Sequence, residues 1–230
     1  MKHAFSRLET KVNYALGKIE KTEYDERLKF GMKKFEKLKE ETNQMKTAIK
    51  NMLPKDREQT KIEHLAETLS RIAGQQESGT KLAKIQEKFG ECTLNIGKEE
   101  RQMARTVDSK TLAGLDGLLK VEFNAYKKKK DQLEKARVDM DRLHAKVMRT
   151  PSDDPNYRQL KREETVAREN FDARRKDVLS IVDKTVKFEK DIQKYLIALA
   201  KAQQRFYATA AEIYDRFAKE FDKHEEQRSK

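Results

Sequence analysis

Apolar side chains recur every seven residues through almost the whole chain, and this constrains the fold more than any single motif. Leu28, Phe35, Thr42 and Ile49 keep that spacing, with Leu38, Met45 and Met52 interleaved. Leu119, Tyr126, Leu133, Met140 and Val147 repeat it, flanked by Ala136 and Leu143. Phe171, Val178, Ile192, Leu199, Phe206 and Ile213 share a third register, interrupted at Thr185 and accompanied by Ile181, Phe188 and Tyr195. Seven residues is close to two helical turns, so each set is one stripe along a helix that needs a partner helix to cover it. The expected fold class is all-α: three long, kinked, antiparallel helices packed as a coiled coil.

Breaker residues divide the repeat. Gly17, Pro54, "IAGQQESGTK" at 72–81 and "TPSDDPN" at 150–156 mark the turns. Thr22 and Asp25 stand at capping-box spacing and predict the start of the first long helix. Ile62, Leu65, Leu69 and Ile72 continue the helical habit over 55–73. Residues 81–149 read as one bent helix. Gly90, Gly97, Gly114 and Gly117 each weaken it by about 1 kcal/mol relative to Ala and suit a kink or a close helix crossing. Residues 157–224 read as the longest run. A helix of about 70 residues spans about 105 Å, so three of them make a rod with a thin core and uncovered apolar stripes. A twofold homodimer is the simplest cover.

The chain has 230 residues, 40% of them charged, with no Trp, three Pro and eight Gly, a balance that suits long solvated helices. Its net charge of +12 favours acidic partners: anionic lipid, nucleic acid or an acidic protein. Between 127 and 176 there are 16 Lys/Arg against 10 Asp/Glu, half of the whole excess. Lys128, Lys135, Arg142 and Arg149 recur every seven residues away from the apolar seam, with Lys146 beside them. Beyond the turn, Lys161, Arg168 and Arg175 do the same, with Arg158 and Arg162 nearby. Two basic stripes on neighbouring antiparallel helices favour a binding surface over a merely solvated face. Lys129 falls on the seam and is expected to snorkel outward; Lys127 and Lys130 point elsewhere.

Several classes are disfavoured. The longest apolar run, "YLIALA" at 195–200, is far short of the roughly 20 residues of a membrane span, and the N-terminus is too polar for a secretory signal. A lone Cys92 builds no disulfide framework and is expected to be an ordinary buried or half-buried thiol. An intracellular, cytoplasmic protein is expected. His3, His64, His144 and His224 are scattered, and no metal-binding His pair, phosphate loop or nucleophile elbow is present, so no enzyme, metal or cofactor is expected. The basic stripes lack interleaved aromatics, which speaks against nucleic acid.

The first twenty residues carry a different signal. Phe5, Leu8, Val12, Leu16 and Ile19 fall at steps of three and four, an amphipathic helix, with Lys2, Arg7, Lys11 and Lys18 supplying charge. Such a helix can lie in the headgroup region of a bilayer. The run "SRLETKVNYALGKIEKTEYD" closely resembles the N-terminal signature of amphiphysin- and endophilin-type N-BAR domains, in its Leu16, Gly17, Lys18, Glu20, Thr22 and Asp25. The resemblance implies a crescent-shaped antiparallel homodimer that is peripherally bound to anionic membrane and senses or generates curvature, as in tubulation, endocytosis and vesicle trafficking. It implies an inserting segment at 1–20 and a dimerising, membrane-binding body at 21–230. Phe5, Leu8, Val12 and Leu16 would be the inserted face. Arg7, Lys11, Lys18, Lys128, Lys135, Arg142, Lys146, Arg149, Arg158, Lys161, Arg162, Arg168 and Arg175 would meet the headgroups. Asp153 and Asp154 depart from the lysines that such domains often carry at the tip. No SH3 module is read in these residues, which fits either an excised domain or a protein without that module. The rival expectation is a soluble coiled-coil scaffold docking an acidic protein or a small GTPase.

Overall fold

The computed structural model describes residues 2–55, 58–76 and 79–226, and every regular element among them is helical. These are α1 (Lys2–Ala15), α2 (Glu26–Met52), α3 (Lys61–Gly74), α4 (Lys81–Val107), α5 (Ala113–Gly117), α6 (Phe123–Arg149), α7 (Tyr157–Val182) and α8 (Thr185–Glu226). π-Helical segments at Asp108–Leu112 and Leu118–Glu122 join α4, α5 and α6 into one unbroken helical run. The expected long helix over 81–149 is therefore present. A π turn takes up an extra residue, so it slips the stripe. Counting back by seven from Tyr126 selects Leu119, but Leu118 is the buried residue and Leu119 is half-buried.

Two expected boundaries move. The first long helix starts at Glu26, because Asp25 caps it by accepting from the backbone N–H of Leu28 at 2.9 Å. Thr22 is drawn away to a carboxylate on α6. The run over 157–224 is two helices. It breaks at 183–184, beside the register interruption at Thr185, and the Thr185 hydroxyl donates to the Val182 carbonyl.

The chain forms two compact units, residues 1–41 with 117–189 and residues 42–116 with 190–230. In the first, α6 and α7 form an antiparallel hairpin, and the N-terminal part of α2 packs on it. Phe35 is fully buried there, with ring centroids of Phe123 at 4.9 Å, Tyr126 at 4.7 Å and Phe188 at 5.8 Å. Leu28, Leu133, Val178 and Phe171 extend this core. Each such side chain removed from water contributes about 1.5–3 kcal/mol. Gly31 lets α2 approach α7, since a Cβ there would meet Val182 Cγ2 at 2.9 Å.

In the second unit, α3 lies antiparallel on α4 and α8 packs along α4. Cys92, Ile96 and Ala210 are surrounded by Ile62, Phe89, Phe206, Ile213 and Phe217. Burial pushes the Cys92 thiol above its ordinary pKa, as expected of an unreactive core thiol. Thr60 and Glu63 form a complete capping box at the start of α3. Arg101 of α4 holds the same Glu63 at 2.9 Å. Gly97 makes the crossing possible, because a Cβ there would come within 2.9 Å of Thr60 Oγ1 and nearer still to Glu63 Cγ.

Candidate functional site

The α6–α7 hairpin carries most of the cations singled out by spacing, but it does not leave them equivalent. Lys128, Lys135 and Lys146 are exposed on α6 and have no carboxylate partner among the described residues, nor do Arg158 and Arg162 on α7. Lys161 and Arg168 instead converge on Glu164, at 2.7 Å and 3.5 Å, and His144 Nδ1 reaches the same buried carboxylate at 2.7 Å. Hydrogen bonds from Lys161 and then His144 hold Glu164 below the usual carboxylate range. Arg175 pairs with Asp25 at 3.3 Å, and Arg149 donates to the Lys18 carbonyl at 2.6 Å. Arg142 is half-buried, with its Nε removed from solvent. Lys129 does not simply snorkel; its Nζ sits 3.3 Å from Asp177. Lys130 pairs with Glu36. At the tip, Asp153 is exposed, while Asp154 Oδ1 accepts from the Asn156 backbone N–H at 2.7 Å.

The N-terminal helix lies against this hairpin. α1 ends in a Schellman motif: Gly17 adopts φ +66°, Lys18 N–H donates to the Asn13 carbonyl at 2.9 Å, and Gly17 N–H donates to Tyr14 O at 3.1 Å. Its polar side faces α6. Arg7 forks onto Asp139, with Nη2 at 2.6 Å and Nε at 3.0 Å. That pairing raises the guanidinium pKa. Tyr14 donates to Asp141 Oδ2 at 2.6 Å, and Thr22 donates to the same carboxylate through its hydroxyl and, at 3.1 Å, its backbone N–H. Burial, then the Asp141 contact, push the Tyr14 phenol above its ordinary pKa. Nearby, Arg137 reaches Glu134 at 2.6 Å and stacks over the Tyr24 ring at 4.7 Å.

One residue of α6 locates the dock. Val138 is only 1% exposed, yet it points away from the core stripe, being roughly 140–160° around the helix from Leu133 and Met140 at 100° per residue. It lies between Lys135 and Arg142 on the basic side. With Arg7 and Tyr14 clipped to Asp139 and Asp141 on either side of it, α1 lies along the side of α6 that carries Val138. Thr10, on the inward side of α1, is likewise 1% exposed. The apolar side of α1 faces solvent: Phe5 is 72% exposed, Leu8 61%, Val12 52% and Leu16 60%. Lys11 and Lys18 are exposed beside them. The amphipathic segment and the basic stripe of α6 thus occupy the same side of the hairpin. The side chains of Lys2, His3 and His224 lie outside the described residues.

Among the described residues no helix is long and apolar enough to cross a membrane, and no group of His, Cys, Asp and Glu could hold a metal ion. A family model described as "BAR domain" matches residues 1–223. The chain belongs to the BAR domain family. BAR domains are structural membrane-binding scaffolds that sense or generate curvature and generally dimerise, so this one is not an enzyme. No curated protein matches the chain. Among solved structures it is similar to the N-terminal I-BAR domain (1-259) of D. discoideum IBARa, at 11% identity, covering 90% of this chain and 94% of that one with a TM-score of 0.44.

Proposed function

We propose that this BAR domain binds anionic membrane through the α1-bearing side of the α6–α7 hairpin, in the manner of an N-BAR domain. Residues 1–20 are the inserting segment and 21–230 the dimerising and membrane-binding body. The observation that carries this reading is the coincidence, on one side of the hairpin, of an exposed apolar helix face and unpaired lysines. Phe5, Leu8, Val12 and Leu16 supply the first; Lys128, Lys135 and Lys146 supply the second. Each lysine near an anionic leaflet contributes about 1 kcal/mol within a Debye length of about 8 Å. Burying an apolar side chain of α1 adds at most about 1.5–3 kcal/mol, and less at an interface than in a core.

A homodimer is part of the same proposal. On α8, Leu196, Ile197, Tyr207 and Tyr214 are exposed, the last two being seven residues apart. A second copy laid along that stripe would cover it and would join two basic faces in one assembly, which strengthens attachment without a second independent association. The setting is cytoplasmic and peripheral to the membrane, with tubulation in endocytosis or vesicle trafficking as the outcome.

The test is co-sedimentation with vesicles of graded phosphatidylserine content and diameter, with the pellet viewed by negative-stain microscopy. Binding that rises with phosphatidylserine and yields tubules or small vesicles is the expected result. A folded dimer that ignores vesicles would instead assign the same basic face to an acidic protein partner.

A further inference from the structure

We infer that α1 works as a preassembled ridge, clipped to α6 by Asp139 and Asp141, which offers its apolar face to an anionic bilayer while docked. This rests on the membrane reading above and goes further, because it makes two acidic residues of α6 positioning residues for lipid contact.

The side chains of α1 are divided by direction. Three polar groups that α1 sends inward have partners: Arg7 on Asp139, Tyr14 on Asp141, and Thr10 on its own Ser6 carbonyl at 2.9 Å. Thr22, just past the Schellman turn, adds a second and third donation to Asp141. Charge-assisted bonds of this kind are the strong class of hydrogen bond. Phe5, Leu8, Val12 and Leu16 stay exposed beside this dock. A short isolated helix of about fourteen residues is marginal in water, so the dock gives α1 the tertiary support it lacks alone. The outward stripe is then ordered before any lipid arrives, and the ordering entropy is not charged to the binding step.

The occupant is identified by its chemistry. Around the exposed stripe the free cations are Lys11 and Lys18 on the N-terminal segment and Lys135 and Lys146 on α6, against Glu9 as the one acid of α1. Arg7, directed inward from α1, is neutralised by Asp139. An apolar ridge rimmed by unpaired cations complements a surface with acidic headgroups over an acyl interior. It does not complement a second basic face of this chain.

The experiment combines two measurements on the full chain. Hydrogen exchange in the absence of lipid reads whether amides of residues 2–15 are protected. Co-sedimentation with mixed phosphatidylserine/phosphatidylcholine vesicles reads binding, with pure phosphatidylcholine as the control. The variant is Asp139→Asn with Tyr14→Phe, which opens the clip and leaves Phe5, Leu8, Val12 and Leu16 in place. It also makes the chain one charge more positive, so simple electrostatics would tighten binding. The expected result is protected amides in the parent, lost protection in the variant, and vesicle binding about tenfold weaker, the size expected for losing charge-assisted hydrogen bonds. The charge swap Arg7→Asp with Asp139→Arg, neutral overall, is expected to recover both protection and binding. Unprotected α1 amides in the parent would overturn the dock whatever the vesicles show. Protected amides with no vesicle binding would overturn the lipid-facing role through failure of the membrane reading. A variant that loses protection yet binds as well as the parent would show that docking does not serve binding, and would overturn the proposal while leaving the membrane reading intact.

Discussion

Replacing Lys128, Lys135 and Lys146 together by Gln separates placement of charge from total charge. None of the three has a carboxylate partner among the described residues, so the folded state loses no ion pair, and stability is expected to stay within about 0.5 kcal/mol. At an anionic leaflet each removed lysine forgoes about 1 kcal/mol, about 3 kcal/mol in all. At 1.4 kcal/mol per tenfold this is a weakening of roughly 100-fold per chain, and more where two chains share one membrane face. The matched control neutralises Lys129, Lys130 and Arg174. It removes the same charge, but those side chains already sit against Asp177, Glu36 and Asp177 respectively. Vesicle co-sedimentation is expected to fall steeply for the first triple and little for the second. The gap should narrow in high salt, where screening shortens the reach of the lysines to about 3 Å. Equal losses from both triples would mean that binding reads only net charge, and would refute the assignment of this face.

Three further changes probe separate parts of the structure. Phe5→Glu places a charge on the most exposed apolar position of the α1 stripe; vesicle binding should fall at least about tenfold, on the 1.5–3 kcal/mol scale of one buried side chain, with the circular dichroism spectrum unchanged. Gly97→Ala drives a methyl into the Thr60–Glu63 cap and should destabilise by about 1–3 kcal/mol, visible as a lowered Tm. Glu164→Gln leaves Lys161, Arg168 and His144 converged without their anion and should cost about 1–2 kcal/mol at neutral pH. Glu164 has a folded pKa held below its ordinary 4.5, so its contribution is full above that value and fades as pH falls through the depressed folded value. Urea denaturation of parent and variant should therefore converge in acid, and a gap that persists there would show that its charge is not what stabilises.

The parts of this fold that were legible in the sequence are those fixed by near neighbours in the chain. Tyr126, Leu133, Met140 and Val147 are buried as their spacing demands, because helical phase is local. The slip to Leu118 was not legible, since a π turn is selected by what the helix packs against. Thr22 had the spacing of a cap, but its hydroxyl serves Asp141, 119 residues away. The stripes of the candidate face were visible for the same local reason as the core. Which cations remain free was only partly so. Lys161 and Arg168 stand three and four residues from Glu164, a pairing that helical spacing alone could have indicated. The Arg7–Asp139 clip, 132 residues apart, left no such trace, and neither did the burial of Val138.

The long-range pairings sharpen the basic character of this face by taking up the acids nearest its free lysines. Over 127–176 the excess of cations in the sequence is moderate, 16 against 10, and evenly exposed side chains would give a mixed surface. The structure draws four of the ten acids inward: Asp139 takes Arg7, Asp141 takes Tyr14 and Thr22, Glu134 takes Arg137 and Tyr24, and Glu164 gathers Lys161, Arg168 and His144. Asp141 and Glu164 are buried outright. Buried carboxylates are retained only where donors compensate their desolvation, and here the donors come from α1, from the segment after it, and from the hairpin itself. The positive field of Lys128, Lys135 and Lys146 is therefore a product of folding as much as of composition. Detaching the N-terminal segment would do more than remove an apolar stripe. It would strip Asp139 and Asp141 of their donors, leave two carboxylates unpaired among those lysines, and lower the potential of the face that meets the membrane.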